Sequence, residues 1–122
     1  MATFPRLIPI DIARVDDRYE LNADLPGVDP NSVDVDVEGQ ILTISAERTP
    51  RTAEGATWLA RERSGGRYVR RLNLGQGIDT AAISASYENG VLSVVLPVSE
   101  KAKARKVEVH TSSAAPELAD AA

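Results

Sequence analysis

The chain has 122 residues, enough for one domain with a hydrophobic core, and its net charge of −4 gives no reason to expect a nucleic-acid partner, since binding one usually needs a basic face. It has no cysteine, which excludes disulfides, thiol catalysis and cysteine metal sites, and its one histidine, His110, cannot build a multi-histidine site. We therefore expect no cofactor and no metal. The sequence has no apolar run long enough to span a membrane and no visible secretory signal, so we expect a cytoplasmic protein.

Apolar and polar residues alternate along most of the chain, which is typical of β-strands that bury one face. Pro26-Gly27 ends one such strand, and an Asp-Pro-Asn turn at 29–31 separates it from the next. In chain order, the predicted strands cover residues 10–12, 19–25, 33–38, 41–46, 67–74, 83–87 and 91–96.

A long segment without alternation lies between the fourth and fifth predicted strands. Residues 48–55 are rich in arginine and threonine and contain proline and glycine, which predicts a mobile loop. Trp58 and Leu59 form an apolar island further along this segment, between charged flanks. Two roles are open for Trp58: it caps the core of its own domain, or, as the charged flanks favour, it contacts another subunit.

The pair Asn89-Gly90 lies between two alternating runs and is the strongest hairpin signal in the chain, because both central residues of a type I′ turn need positive φ. Beyond Pro97 the chain is rich in Lys, Ala, Ser and Glu, and from Thr111 onward its composition predicts disorder. The run Val107-Glu108-Val109 has no hairpin partner of its own. It is either a final edge strand or a short peptide that docks on another surface.

Short strands with turn signals at close spacing predict an all-β fold, an immunoglobulin-like antiparallel β-sandwich. We expect a short N-terminal arm over residues 1–9, the sandwich over 10–98, and a flexible C-terminal extension with the Val-x-Val run and a disordered tail over 99–122. The residues expected to face the core are Leu21, Ala23, Leu25, Val33, Val35, Val37, Leu42, Ile44, Ala46, Leu72, Leu74, Leu92, Val94 and Leu96.

No group of residues in the sequence supports catalysis, so we expect that the protein is not an enzyme. Asp34, Asp36 and Glu38 share one face of a predicted strand, which indicates a solvated face, since no glycine-containing loop surrounds them with further oxygen ligands for calcium. Five arginines cluster between residues 61 and 71 with acidic residues nearby, and this mixture favours ion pairs between subunits over phosphate binding.

Four sequence segments form a recognisable set when they are taken together in this order. They are YELNADLPGV at 19–28, LTISAER at 42–48, RSGGRYVRR at 63–71 and YENGVL at 87–92. The set resembles the α-crystallin domain of the small heat-shock protein family, bacterial type, and with its flanks it covers residues 9–109.

This resemblance implies an ATP-independent holdase chaperone, which binds non-native client proteins and suppresses their aggregation under stress. It also implies homodimers that form by exchange of a loop strand, and larger homo-oligomers that form through a C-terminal Ile/Val-x-Ile/Val motif. The alternative is a CS-domain-like co-chaperone, which shares the sandwich but binds one defined partner chaperone. The apolar island in the loop and the Val-x-Val run favour the first.

Carried over residue by residue, the resemblance gives each role a set of positions in this chain. The exchanged segment spans about residues 56–62, and the dimer interface consists of Trp58, Leu59, Arg61 and Arg70. The docking motif is Val107 and Val109, which dock in cis or in trans, and client contact is expected at Phe4, Leu7 and Ile8. The docking groove is expected to consist of Val33, Val35, Val37, Ile83, Ala85 and Tyr87.

Overall fold

Seven β-strands form the framework of the described residues, which are 7–103 and 106–111 of this computed structural model. Each predicted strand is present, and its ends differ from the prediction by at most three residues. Short 3-10 turns lie at Pro30–Ser32, Thr80–Ala82 and Glu100–Ala102. The strands are β1 (Ile10–Val15), β2 (Arg18–Asp24), β3 (Asp34–Glu38), β4 (Ile41–Arg48), β5 (Gly66–Asn73), β6 (Ser84–Glu88) and β7 (Val91–Pro97).

The strands form two antiparallel sheets that pack face to face. One sheet has the strand order β1-β2-β7-β6, and the other has the order β3-β4-β5. Because β2 pairs with β7 and not with β3, the chain passes from one sheet to the other after the Pro26-Gly27 break. The predicted all-β sandwich is confirmed.

The Asn89-Gly90 hairpin prediction is also confirmed. Glu88 pairs with Val91, so these two residues form the whole connection, with φ of 54° at Asn89 and 80° at Gly90. Positive φ at both positions is what a type I′ turn requires. The turn packs on the end of β2, since the Gly90 carbonyl accepts a hydrogen bond of 2.8 Å from the Leu25 amide.

The core lies between the central strands of the two sheets, where the alternation buries every second side chain. Val33, Val35, Val37, Leu72 and Leu74 are only partly buried, because β3 and β5 are the two edges of their sheet. The predicted core residues that are fully buried are Leu21, Ala23, Leu25, Leu42, Ile44, Ala46, Leu92, Val94 and Leu96.

Four further buried residues lie outside the predicted core: Ile8, Val28, Tyr68 and Val98. Ile8 bears on function, because its side chain has 0% exposure and packs in the core just before β1. Its carbonyl accepts a hydrogen bond of 3.1 Å from Nη1 of Arg70. The expected client contact at Ile8 does not agree with this position, since a side chain without exposed surface cannot touch another protein.

Candidate assembly surfaces

The sandwich has two open edge surfaces, because each sheet ends in two strands without an outer neighbour. β1 and β5 lie on the same side, where Ile12 of β1 and Leu72 of β5 line one cleft. The other two edge strands, β3 and β6, therefore lie together on the opposite side. We call these surfaces the β1–β5 cleft and the β3–β6 groove.

The β1–β5 cleft is apolar and open, with a volume of about 330 Å³. Its walls include Ile12, Tyr19, Leu72, Leu74 and Ile78. Ile12 pairs with the buried Leu21 and so points to the inner face of its sheet, yet it is 51% exposed. An inward-facing isoleucine with half of its surface in water indicates that none of residues 7–103 and 106–111 covers the cleft, and apolar surface of this kind marks an interaction site.

The predicted apolar island is exposed and is not among the side chains that form the core or pack against it. Leu59 is 99% exposed and Trp58 is 47% exposed, so Trp58 does not cap its own domain. The guanidinium of Arg61 lies 4.6 Å from the centre of the Trp58 ring, a cation–π contact that shields one face of the indole. Among residues 7–103 and 106–111, Leu59 is therefore left fully exposed and Trp58 about half exposed.

Arg48 connects both ends of the loop to the sandwich through side-chain hydrogen bonds. This role was not predicted from the sequence. Its guanidinium donates hydrogen bonds to the Pro26 carbonyl through Nε at 3.1 Å and through Nη2, and to the Ser64 carbonyl through Nη1 at 3.2 Å. It also lies 5.2 Å from the centre of the Tyr68 ring. The planar guanidinium of Arg48 thus links the end of β4 to the turn after β2 and to the residues just before β5. The only sequence signal was an arginine at the end of the LTISAER segment.

Arg70 is partly buried on β5, whereas its neighbour Arg71 is exposed. Because Arg70 donates to the Ile8 carbonyl, its charged head lies beside the start of β1. The two ion pairs found among the described residues are Arg18–Glu20 and Glu100–Lys103, and neither contains Arg70. Its predicted place in a dimer interface stays a prediction.

The β3–β6 groove brings the predicted docking residues to one side of the sandwich. Val33, Val35, Val37, Ile83 and Tyr87 are partly buried and pack against the core. Ala85 is exposed on β6. The Tyr87 hydroxyl donates a hydrogen bond to the Leu25 carbonyl, which fixes the ring at one end of the groove.

The outer face of β3 carries Asp34, Asp36 and Glu38, and all three are exposed. They alternate with the valines, so the groove has an apolar floor and an acidic rim. Within residues 7–103 and 106–111, no three His, Cys, Asp or Glu side chains are grouped closely enough to hold a metal ion. The three carboxylates therefore form a charged face in water.

The C-terminal extension leaves the sandwich beside the β1–β5 cleft, since Ala102 is part of the cleft wall. Lys103 forms an ion pair of 2.7 Å with Glu100, and this hydrogen bond together with the nearby carboxylate charge raises the pKa of Lys103. Residues 106–111 form no strand, and Val107 and Val109 are 81% and 79% exposed. The final-edge-strand interpretation is therefore wrong for the chain's own sheets. The predicted disordered tail after Thr111 lies outside the described residues.

A β-sandwich with two open edge surfaces and two exposed apolar segments has the features by which a sheet edge can accept an added peptide segment. The model of the Hsp20/alpha crystallin family matches residues 11–110. The chain therefore belongs to this family, whose small heat-shock proteins are ATP-independent chaperones and not enzymes. The resemblance that the four sequence segments carry is confirmed.

Relatives come from several bacteria. The 18 kDa antigen 1 of Mycobacterium avium is 46% identical over 107 residues, which cover 88% of this chain and 72% of the antigen. The 18 kDa heat shock protein of Streptomyces albus G is 41% identical over 106 residues, which cover 86% of this chain and 74% of that protein.

Solved structures show the same fold. A small heat-shock protein from Xylella fastidiosa, which forms a distinct high-order structure, superposes with a TM-score of 0.70 at 31% identity over 85% of this chain and 96% of that one. The hspA protein from Xanthomonas axonopodis gives 0.69 at 31% identity over 83% of this chain and 100% of that one. In the part of the present chain that the structure describes, no helix is long and apolar enough to cross a membrane.

Proposed function

We propose that this protein is an ATP-independent holdase that binds non-native proteins and suppresses their aggregation under stress. Family membership supports a chaperone role. The observation that carries the finer assignment is the pair of open apolar edge surfaces, which segments of other copies can cover and uncover. A holdase acts by mass action, because each uncovered surface that binds a client's exposed apolar side chains lowers the concentration of aggregating client.

The smallest assembly in this proposal is a homodimer in which the Trp58-Leu59 segment of each chain covers the β1–β5 cleft of its partner. Leu59, Trp58 and Ile12 are all at least 47% exposed in the single chain, and this one contact covers all three. The free edge of β1 adds main-chain hydrogen bonds for an extended segment. Arg61, which stacks on Trp58, and Arg70 on β5 complete the interface.

Larger homo-oligomers then form when Val107 and Val109 of one copy dock in the β3–β6 groove of another. The two valines are two residues apart, so in an extended chain both point to the same side and enter the groove together. Docking in trans is favoured because the extension leaves the sandwich beside the β1–β5 cleft, on the side opposite the groove. Burying each valine contributes about 1.5–3 kcal/mol before the ordering of the linker is subtracted, so the contact is reversible.

Substituting both docking valines tests this assembly. Val107→Ala with Val109→Ala is expected to leave the sandwich folded and to shift larger oligomers towards dimers. Size-exclusion chromatography with light scattering, repeated across a dilution series, measures the mass. An unchanged mass at every concentration would show that the extension is not the assembly element.

Client contact in this proposal involves the two edge surfaces when they are uncovered, together with Leu7, which is 76% exposed. Phe4 lies outside the described residues, and Ile8 is left out because it is buried. We also propose the division into an arm, a sandwich and an extension near residues 10 and 98, and a cytoplasmic location.

A heat-labile test enzyme, warmed without nucleotide while its light scattering is recorded, tests the holdase activity. We expect scattering to fall in proportion to the added protein, with no change when ATP is present. The same protein after proteolytic digestion is the control for crowding and buffer effects. A CS-domain-like co-chaperone would leave the scattering unchanged and would protect the client only together with an ATPase chaperone. That result would contradict the holdase proposal.

A further inference from the structure

We infer that the β3–β6 groove selects its occupant by charge as well as by shape, and that its acidic rim attracts the basic stretch that precedes Val107 in a second copy of this chain. The inference rests on the proposed docking of Val107 and Val109, and it adds the class of peptide that the groove accepts. That class is an apolar-x-apolar peptide preceded by several Lys or Arg residues. Peptides with the same valines but acidic flanks are rejected.

The charges along the chain are separated in a way that matches this pairing. Residues 28–47 and 74–99, which contain both walls of the groove, carry seven acidic residues and no Lys or Arg. Residues 99–111 carry four basic residues, Lys101, Lys103, Arg105 and Lys106, and two acidic residues, Glu108 and Glu100, of which Glu100 pairs with Lys103. Opposite potentials on two surfaces steer their association and suppress wrong partners.

The geometry of an edge strand places these charges next to each other. An extended segment beside β3 puts Val107 and Val109 next to the valines of the floor, because alternate residues of neighbouring strands share a face. Lys106 then points to the same side as Asp34, Asp36 and Glu38, all of which are exposed. The other three basic residues, Lys101, Lys103 and Arg105, alternate in step with Val107, so in an extended segment they do not point to the rim and attract the acidic groove only at longer range. Glu108 also faces the rim, where its negative charge is unfavourable.

The effect on affinity is moderate and depends on salt, because the three rim carboxylates and Lys106 are exposed. A single exposed ion pair contributes little, but several basic residues close to one acidic row act together. Screening reduces this attraction as the Debye length shortens from about 10 Å at 0.1 M salt to about 3 Å at 1 M. We expect affinity for the basic segment to fall roughly tenfold between 0.05 M and 0.5 M NaCl.

A labelled peptide that corresponds to residues 99–111 is the probe, and the full-length Val107→Ala/Val109→Ala protein is the acceptor, since its own extension does not compete. Fluorescence anisotropy measures binding at 0.05 M and 0.5 M NaCl. A second peptide has Gln in place of all four basic residues, and a third has Ala in place of both valines. A fourth carries Glu108→Gln and is expected to bind more tightly than the first at low salt.

The acceptor is then varied on the groove side. Neutralising the rim with Asp34→Asn, Asp36→Asn and Glu38→Gln is expected to reduce affinity for the first peptide about tenfold at low salt. The matched control neutralises three exposed acidic residues elsewhere, with Asp11→Asn, Asp17→Asn and Glu54→Gln, and it is expected to bind as the unmodified acceptor does. All six positions are exposed, so neither variant removes a core contact.

The outcomes separate the inference from the docking proposal. The inference is supported if the first peptide binds with strong salt dependence and the Gln peptide binds weakly and independently of salt. It also requires that the acceptor with Asp34→Asn, Asp36→Asn and Glu38→Gln loses affinity for the first peptide, while the control acceptor does not. Salt-independent binding of the first peptide, with equal affinity of the Gln peptide, overturns the charge inference and leaves the docking intact. Absence of binding by the first peptide at both salt concentrations overturns the docking and the inference together.

Discussion

Leu59→Ala is the sharpest test of how two copies of this chain associate. Leu59 is 99% exposed in the single chain, so the substitution removes no contact from the monomer and should leave its thermal unfolding unchanged. If the residue is buried in the partner's β1–β5 cleft, the same substitution removes three buried carbons from each of two symmetric contacts. The substitution should therefore change the free energy of dimerisation and leave the stability of the monomer unchanged.

The size of the effect follows from the area lost. Burial of one methylene contributes about 0.8 kcal/mol, so each Leu59→Ala contact loses about 2 kcal/mol and the dimer loses about 4 kcal/mol. Since 1.4 kcal/mol is a factor of ten, the dimer dissociation constant should rise roughly a thousandfold. Adding Trp58→Ala should abolish the dimer at micromolar concentration, because an aromatic side chain contributes more buried area than any other residue in the segment.

Analytical ultracentrifugation over a range of concentrations measures the dissociation constant. The measurement is made in the Val107→Ala/Val109→Ala background, so that larger oligomers do not obscure the equilibrium between monomer and dimer. Ile41→Ala is the matched control, since Ile41 is a partly exposed apolar residue that pairs with the exposed Asn73 on the outer face of its sheet. If Leu59→Ala and Ile41→Ala give the same dissociation constant, the exchanged segment has been assigned wrongly.

Three further substitutions test individual side chains. Ile8→Ala should lower the free energy of unfolding by about 2–5 kcal/mol in chemical denaturation, whereas Leu7→Ala changes it by less than about 0.5 kcal/mol. Arg70→Ala should weaken dimerisation, measured by sedimentation, more than Arg71→Ala does, and equal effects would identify the wrong arginine. Gly90→Ala should lower the melting temperature, because φ is +80° and the new Cβ would lie 3.3 Å from the Pro26 Cα, and an unchanged value would contradict that geometry.

The strands could be predicted because their information is local. Leu42, Ile44 and Ala46 alternate with polar residues within one short segment, and that spacing alone decides which side chains enter the core. The Asn89-Gly90 turn is equally local, since two adjacent residue types tolerate the two positive φ angles. The exposed valines Val107 and Val109 and the apolar island could likewise be recognised in the sequence, because each is apolar among charged neighbours, while their roles in assembly stay predictions.

The positions of Ile8 and Arg48 could not be predicted, because their partners are distant in sequence. Ile8 stands between Leu7 and Pro9 with no periodic pattern, and its hydrogen-bond partner Arg70 is 62 residues away. Arg48 binds carbonyls that lie 22 residues before it and 16 residues after it. The β1–β5 cleft is also a product of topology, since the sequence does not say that β1 and β5 share one side of the sandwich.

The hydrogen bonds that Arg48 donates at the base of the loop limit how far the Trp58-Leu59 segment can reach. Trp58 is ten residues from Arg48 but only seven from Gly65, and seven extended residues span at most about 24 Å. In the proposed dimer the partner's cleft must therefore lie within that radius of the loop base, which confines the two sandwiches to a narrow range of separations. Because the loop is closed at its base, such a dimer would separate by lifting one loop off the other molecule, and no chain end would have to be threaded out. In this proposal subunits exchange partners while each sandwich stays folded.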